Sequence, residues 1–439
     1  MTSSTFNRTR IYSAEQFRES VSEPISNNSI YLTFGKTNAW ANDAAPNASN
    51  TMAITEYDVW HNMIGGKRLF GNDVSHVIKR FNWTSGNVYT AYDQTNPSLQ
   101  DGNTQFYVIT TDNNVYKCIS NANSSVSTVE PTAINPGSIT QTSDNYIWKY
   151  LYTISDSDLL RFTTNEYIPV KYLISNDGSL QWQVQSRAVR GTIYNIIVTN
   201  GGTNYTNVSN LIVTISGDGT SATATANINT STNVVSTITM TDYGSEYSYA
   251  TVTISGGGGS GATARAVISP INGHGANPLY ELGGSNLMIN PSLRGTESDS
   301  FEVGNDFRQI ALIKDPLKPD GNVMSNLKFS YAYTLTTAGS GDYLNDEVVY
   351  QGSSLSAASF TGKILSWDTA NGVAVIINSF GTPTSQSLVG ANSSTSRFVS
   401  QILSREVKSY TGEMLYVNNI KPIIRSADQT EEFKIVVKF

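Results

Sequence analysis

Three histidines, one cysteine and a glycine-rich run are the raw material for any chemistry this chain could perform. His61, His76 and His274 show no metal-ligand spacing. The densest polar cluster is Glu56-x-Asp58-x-x-His61. On a helix the i, i+3 relation sets Asp58 beside His61, which reads as a solvated face or cap. Gly256-x-Gly258-x-x-Gly261 matches the dinucleotide fingerprint and follows a strand pattern. That fingerprint has to open a helix whose N-terminus holds the pyrophosphate. Here Ala262 to Ile268 alternates like a strand, and the same turn recurs upstream as Gly217-Asp218-Gly219. Nucleotide binding is therefore set aside. Neither a Gly-x-Ser-x-Gly elbow nor a His-Glu-x-x-His helix is present. Paired carboxylates for glycoside hydrolysis would meet only in the fold, and nothing recommends a pair. Cys118 alternates within Val115 to Ile119 and reads as a buried strand thiol. One cysteine also excludes an internal disulfide and a cysteine-based zinc cluster. The expectation is no catalytic, cofactor or metal site.

Aromatic residues offer contact chemistry instead. Tyr146, Trp148, Tyr150 and Tyr152 alternate along one strand. They could form a sugar-stacking platform, but a face packed against a second layer is the better reading. Tyr205, Tyr247 and Tyr249 fall in turns and are expected to be exposed. With Tyr57 and Trp60 on a helical pattern, they are the candidate partner-facing residues, because aromatic anchors dominate interfaces.

The elements that must position these residues are mostly strands. Only 14% of the 439 residues are charged, and Ser, Thr, Asn, Gly and Tyr abound, which suits short strands joined by polar turns. Two helices are expected near the start. One is capped by Ser13 and runs through Val21; the other spans Tyr57 to Ile64 and is stopped by Gly65-Gly66. A hairpin joins Phe106–Thr110 to Val115–Ile119 through Asp112-Asn113-Asn114. The net charge of −7 argues against nucleic acid as partner. No apolar run is long enough for a membrane helix, and the first residues lack a signal-peptide core.

The chain divides into a body written in three pieces, 1–190, 269–337 and 405–439, with two inserted β modules. The insert 191–268 is a two-copy repeat. Each copy is a strand, a Gly-containing turn with Tyr205 or Tyr247, a strand ending in Ser-Gly, a Gly-rich turn and an Ala/Thr strand. The insert 338–404 reads as a small barrel-like module with a hairpin at Asn371-Gly372. The tail is apolar to its last residue. Glu413–Val417 reads as a central strand, and Phe433, Ile435, Val437 and Phe439 alternate with Glu432, Lys434 and Lys438 after a turn at Asp428-Gln429. These strands must pair with segments far back in the sequence. The fold class expected is mainly β: a layered β-sandwich body, a few short helices in loops, and two small all-β modules.

Several stretches also carry a family signature: Tyr31 to Gly35, Asp144 to Ile154, Thr164 to Ile168, Asp306 to Ile313 and Asp315-Pro316-Leu317. The most specific is the tail, Thr411 to Asn419, Pro422 to Ile424 and Asp428 to Glu432. Together they cover a little over half the chain, in order, and resemble the baseplate wedge subunit called gene product eight in T-even-type contractile-tailed phages. The resemblance implies a non-enzymatic homodimer in the virion tail baseplate, assembled in the host cytoplasm. It further implies partners among the wedge subunits called gene products six, seven and ten. The two inserts depart from that family's pattern and put the partner list in doubt. The rival expectation is a tail protein that binds a receptor or glycan through the repeat or its aromatics.

Overall fold

The computed structural model describes residues 6–23, 28–47, 52–294, 306–423 and 430–439. The fold is mainly β with a few short helices. Two compact units divide the chain: 1–16, 75–289 and 435–439 form one, and 17–74 with 290–434 form the other.

In the first unit, strands Tyr107–Ile109, Asn114–Ser120, Ile147–Thr153 and Thr140–Gln141 make a four-stranded sheet in that order. The anticipated hairpin is present, with Tyr107 opposite Lys117 and Asn113 in the left-handed region at φ 59°. One face packs Tyr116, Cys118, Tyr146, Trp148 and Tyr150 against Tyr89 and Val184. The other packs Tyr107, Ile109, Val115, Leu151 and Tyr152 against Ile78 and Ile168 of a second four-stranded sheet. The aromatic ladder is thus interior, but it does not stay on one face. Val115 pairs with Tyr152 and Tyr116 with Tyr150, so Leu151 is an extra residue. That bulge turns Tyr152 into the opposite core.

The repeat forms one six-stranded sheet in the order Leu211–Gly217, Ala250–Gly256, Ser260–Ile268, Ile193–Thr203, Val234–Ser245, Thr220–Asn229. The two copies exchange strands: the first strand of each pairs with the last of the other, and their middle strands pair together. The glycine run at Gly256 leads into strand Ser260–Ile268, as its alternation anticipates.

The second unit holds a five-stranded sheet ordered Lys328–Ser330, Met63–Arg68, Ile30–Gly35, Phe307–Lys314, Glu413–Ile423. It also holds a closed six-stranded barrel, from Tyr333–Ala338 to Ser396–Leu403. The barrel opens with Tyr333–Ala338, so the sequence boundary at 338 falls at the last residue of its first strand. Helix Met52–Asn62 gives way to strand Met63–Arg68, which overturns the expected continuation through Ile64. Gly65 and Gly66 do not stop the helix; they lie inside the strand, and a Cβ on Gly66 would sit 2.5 Å from the Phe329 ring. The opening helix runs Asn7–Ser22, and Ser13 is no cap: its hydroxyl donates to the Thr9 carbonyl at 3.0 Å, within the helix.

The tail supplies strands to both units. Glu413–Ile423 pairs with Phe307–Lys314, and Ile435–Lys438 pairs with Asn286–Ile289. Both are edge strands, so the reading of Glu413–Val417 as central is corrected: Glu413 and Leu415 face outward and Met414 faces the core. The last strand is not wet on one whole face either, since Ile435 is buried while Val436 packs on Val77, Phe162, Tyr167 and Met288. The turn expected at Asp428-Gln429 lies outside the described residues.

Candidate functional site

Helix Met52–Asn62 has two unlike faces. Thr55, Val59, Trp60 and Asn62 point into the second unit's core, and Ile54 and Tyr57 are exposed. The inward face holds because Asp58 is anchored twice: its carboxylate accepts from the Asn62 amide at 2.8 Å and from Gln309 at 3.1 Å. Asp58 is therefore committed to holding the helix on strand Phe307–Lys314, rather than forming a dyad with His61. His61 lies against the Phe380 ring, centroids 4.6 Å apart. Burial lowers its basicity below the usual histidine value, with Asp58 opposing and Arg405 and Lys36 reinforcing the shift.

On the outward face, Tyr57 is 64% exposed and meets the exposed Tyr410 edge-on at 5.4 Å. Trp60 is buried beneath, 6.1 Å from Tyr410 and 5.5 Å from Tyr331. Arg405 stacks on Tyr331 at 4.1 Å and donates to its hydroxyl at 2.9 Å. Tyr57 and Tyr410 thus form an exposed aromatic pair over buried Trp60; Ile54 on the same helix is also exposed, as is Phe380, which His61 meets. Contiguous exposed apolar patches mark contact sites on soluble proteins. Trp60 supports the surface from below and does not itself face outward, because its spacing places it on the core side of the helix. Phe380 and Tyr410 went unrecognised in the sequence. Phe380 ends a strand and Tyr410 sits between Ser409 and Thr411 at φ 60°, so neither carries a periodic signal.

The repeat tyrosines are corrected. Tyr205 is 2% exposed and Tyr247 is also buried; Tyr249 alone faces solvent. The reason is reciprocal packing. A Cβ on Gly259 would lie 2.5 Å from Tyr205, and one on Gly219 would lie 2.4 Å from Tyr247. Each copy's glycine turn makes a slot for the other copy's tyrosine. Asp218 locks one slot by accepting from the Ser248 and Tyr249 amides at 2.9 and 3.2 Å. Hydrogen bonds from Ser248 hold its carboxyl down at about 2.

The first unit buries the other polar cluster. Lys117 pairs with Glu281, and its ammonium lies 4.8 Å from the Tyr92 ring centroid. Glu281 also accepts from the Gly275 amide at 2.7 Å. Lys149 donates to the Pro136 carbonyl at 2.9 Å. Burial, reinforced by Lys117, brings Lys149 down to about 8, with Glu281 opposing. His274 stacks on Tyr194 and meets Tyr92 edge-on, and burial pushes it well below the histidine range, with both lysines adding to the effect. A lysine of that basicity could act as a nucleophile, but Lys149 is enclosed and tied to a backbone carbonyl. His76 is buried elsewhere, its Nδ1 2.8 Å from the Gly284 carbonyl. Among the described residues, no three His, Cys, Asp or Glu side chains gather as metal ligands. Cys118 is fully buried, and burial raises its thiol well above the ordinary value. No family model matches the chain, and no curated protein matches it.

Proposed function

We propose that this chain is a structural subunit of a phage tail baseplate wedge, joining neighbouring wedge proteins through protein–protein interfaces during tail assembly and contraction. The observation that carries the reading is where the resembling stretches fall. Tyr31 to Gly35, Asp306 to Ile313 and Thr411 to Asn419 are separated by about 270 and about 100 residues of sequence. They lie on three adjacent strands of one sheet: Leu32 pairs with Leu312, and Leu312 with Tyr416. The stretches Asp144 to Ile154 and Thr164 to Ile168 fall instead in two sheets of the first unit. The exposed Tyr57–Tyr410 pair, with Ile54 and Phe380 also exposed, adds contact surface of the aromatic kind that anchors interfaces.

In this reading the protein is not an enzyme. It forms a homodimer in the tail baseplate and engages the wedge subunits called gene products six, seven and ten. A wedge must hold before infection and rearrange on contraction, which favours interfaces able to switch between two packed arrangements. Co-sedimentation of the purified protein with those three subunits tests it. Association is expected, weakened about tenfold or more by Tyr57→Ala combined with Phe380→Ser. Both side chains are exposed, so folding should be kept. A strict monomer that ignores all three subunits would overturn the proposal.

A further inference from the structure

A groove of about 610 Å³ lies in the first unit between the repeat sheet and the loops of the four-stranded aromatic sheet. Its volume falls within the range of pockets that enclose small ligands. Asn123, Gln141, Asn195, Asn227, Thr237 and Thr239 contribute to its lining. Two of the amides are held in place: Asn195 donates to the Ile119 carbonyl at 3.3 Å, and Asn227 to the Thr237 hydroxyl at 3.1 Å.

One wall is aromatic and prearranged. Tyr243 is about one-third exposed and meets Tyr194 edge-on at 4.7 Å, while Tyr194 stacks on the buried His274 at 5.3 Å. A ring braced from behind presents its free surface without loss of rotamer freedom on binding.

Charge narrows the ligand. Among the described residues, no lysine, arginine or histidine side chain lines the groove, so a phosphate, sulfate or carboxylate would find no cation from them there. The one carboxylate among the described lining residues, Asp144, already accepts from the Thr128 and Val129 amides at 2.8 and 3.0 Å and from the Ser127 and Thr142 hydroxyls. An extended peptide fits poorly as well. Peptides that bind by strand addition need an open sheet edge. The repeat-sheet strands at the wall, Ile193–Thr203 and Val234–Ser245, are paired on both sides, and the sheet edge that reaches the groove, Thr140–Gln141, is only two residues long. Amide and hydroxyl groups around one braced aromatic ring suit a polyhydroxyl ligand with apolar C–H faces.

We propose that this groove binds a short neutral oligosaccharide, stacked on Tyr243 and hydrogen-bonded by Asn227, Thr239 and Gln141. The assignment does not depend on the wedge reading. Saturation-transfer NMR of the full chain with maltotriose, cellotriose and chitotriose tests it, with sialyllactose and a Gly-Ser peptide as comparisons. Signal transfer to at least one neutral trisaccharide is expected, insensitive to added salt. Tyr243→Ala should weaken it about tenfold and Tyr243→Phe should retain it. Asn227→Leu gives a second, independent loss should Tyr243→Ala melt early. Silence from all three neutral sugars would overturn the proposal. So would binding of only the peptide or only sialyllactose, or binding that neither Tyr243→Ala nor Asn227→Leu reduces.

Discussion

At the residue scale, the repeat shows how a correct pattern can suggest a wrong exposure. The recurrence of a tyrosine and a glycine turn in each copy was plain in the sequence. What one sequence does not carry is that the turn serving Tyr205 belongs to the other copy. Tyr205→Ala should empty a closed slot and destabilise the module by about 3–5 kcal/mol, while Tyr205→Phe, losing one weak hydrogen bond, should cost about 1 kcal/mol. Tyr247→Ala should match Tyr205→Ala closely, because its slot is equivalent; denaturant titration of the three variants checks this. The interior lysines were equally illegible, since lysine spacing says nothing of burial. Lys149 binds its proton less tightly folded, near 8, than unfolded, near the ordinary 10.5. Between those values the unfolded chain holds more protons, so this residue makes stability rise with pH. Below pH 8 that slope is absent. Above about 10 the buried tyrosines, whose pKa values are raised, reverse the trend. Lys149→Met should flatten the rise between pH 8 and 10 in denaturant titrations.

At the scale of elements, periodicity located strands well and boundaries poorly. The hairpin at Asn113 was legible because turn chemistry and alternation agree. Helix Met52–Asn62 was misplaced at its end because Gly65-Gly66 resembles a helix stop; the demand those glycines meet, room for the Phe329 ring, comes from a strand 260 or so residues away in sequence. Gly66→Ala should therefore be far more damaging than an alanine in an ordinary strand. A clash with a buried aromatic typically destabilises by about 1–3 kcal/mol, and a thermal melt would show it. The helix–strand bond from Gln309 to Asp58 gives a second check. Asp58→Ala leaves the Asn62 and Gln309 amides short of an acceptor, a loss of about 1–3 kcal/mol that Tyr57→Ala should not reproduce.

Across the whole molecule, the mainly β class and the presence of two all-β modules could be read from composition and repeats. The contact surface could not. Of the five aromatics singled out, Tyr57 and Tyr249 are exposed, and Trp60, Tyr205 and Tyr247 are buried. The groove at Tyr243 is assembled from a loop around 123 and strands around 141, 195 and 239, a convergence no local pattern announces. The exchanged strands of the repeat have one more consequence. Neither copy can fill its own slot, so the covalent link between them acts as a tether that raises the concentration of each copy around the other, typically to millimolar levels. Cut that link, and a fragment holding one copy has to find its complement on a second polypeptide. Such a fragment should migrate as a two-chain species in gel filtration and fall apart on dilution, whereas the intact pair stays folded at any concentration.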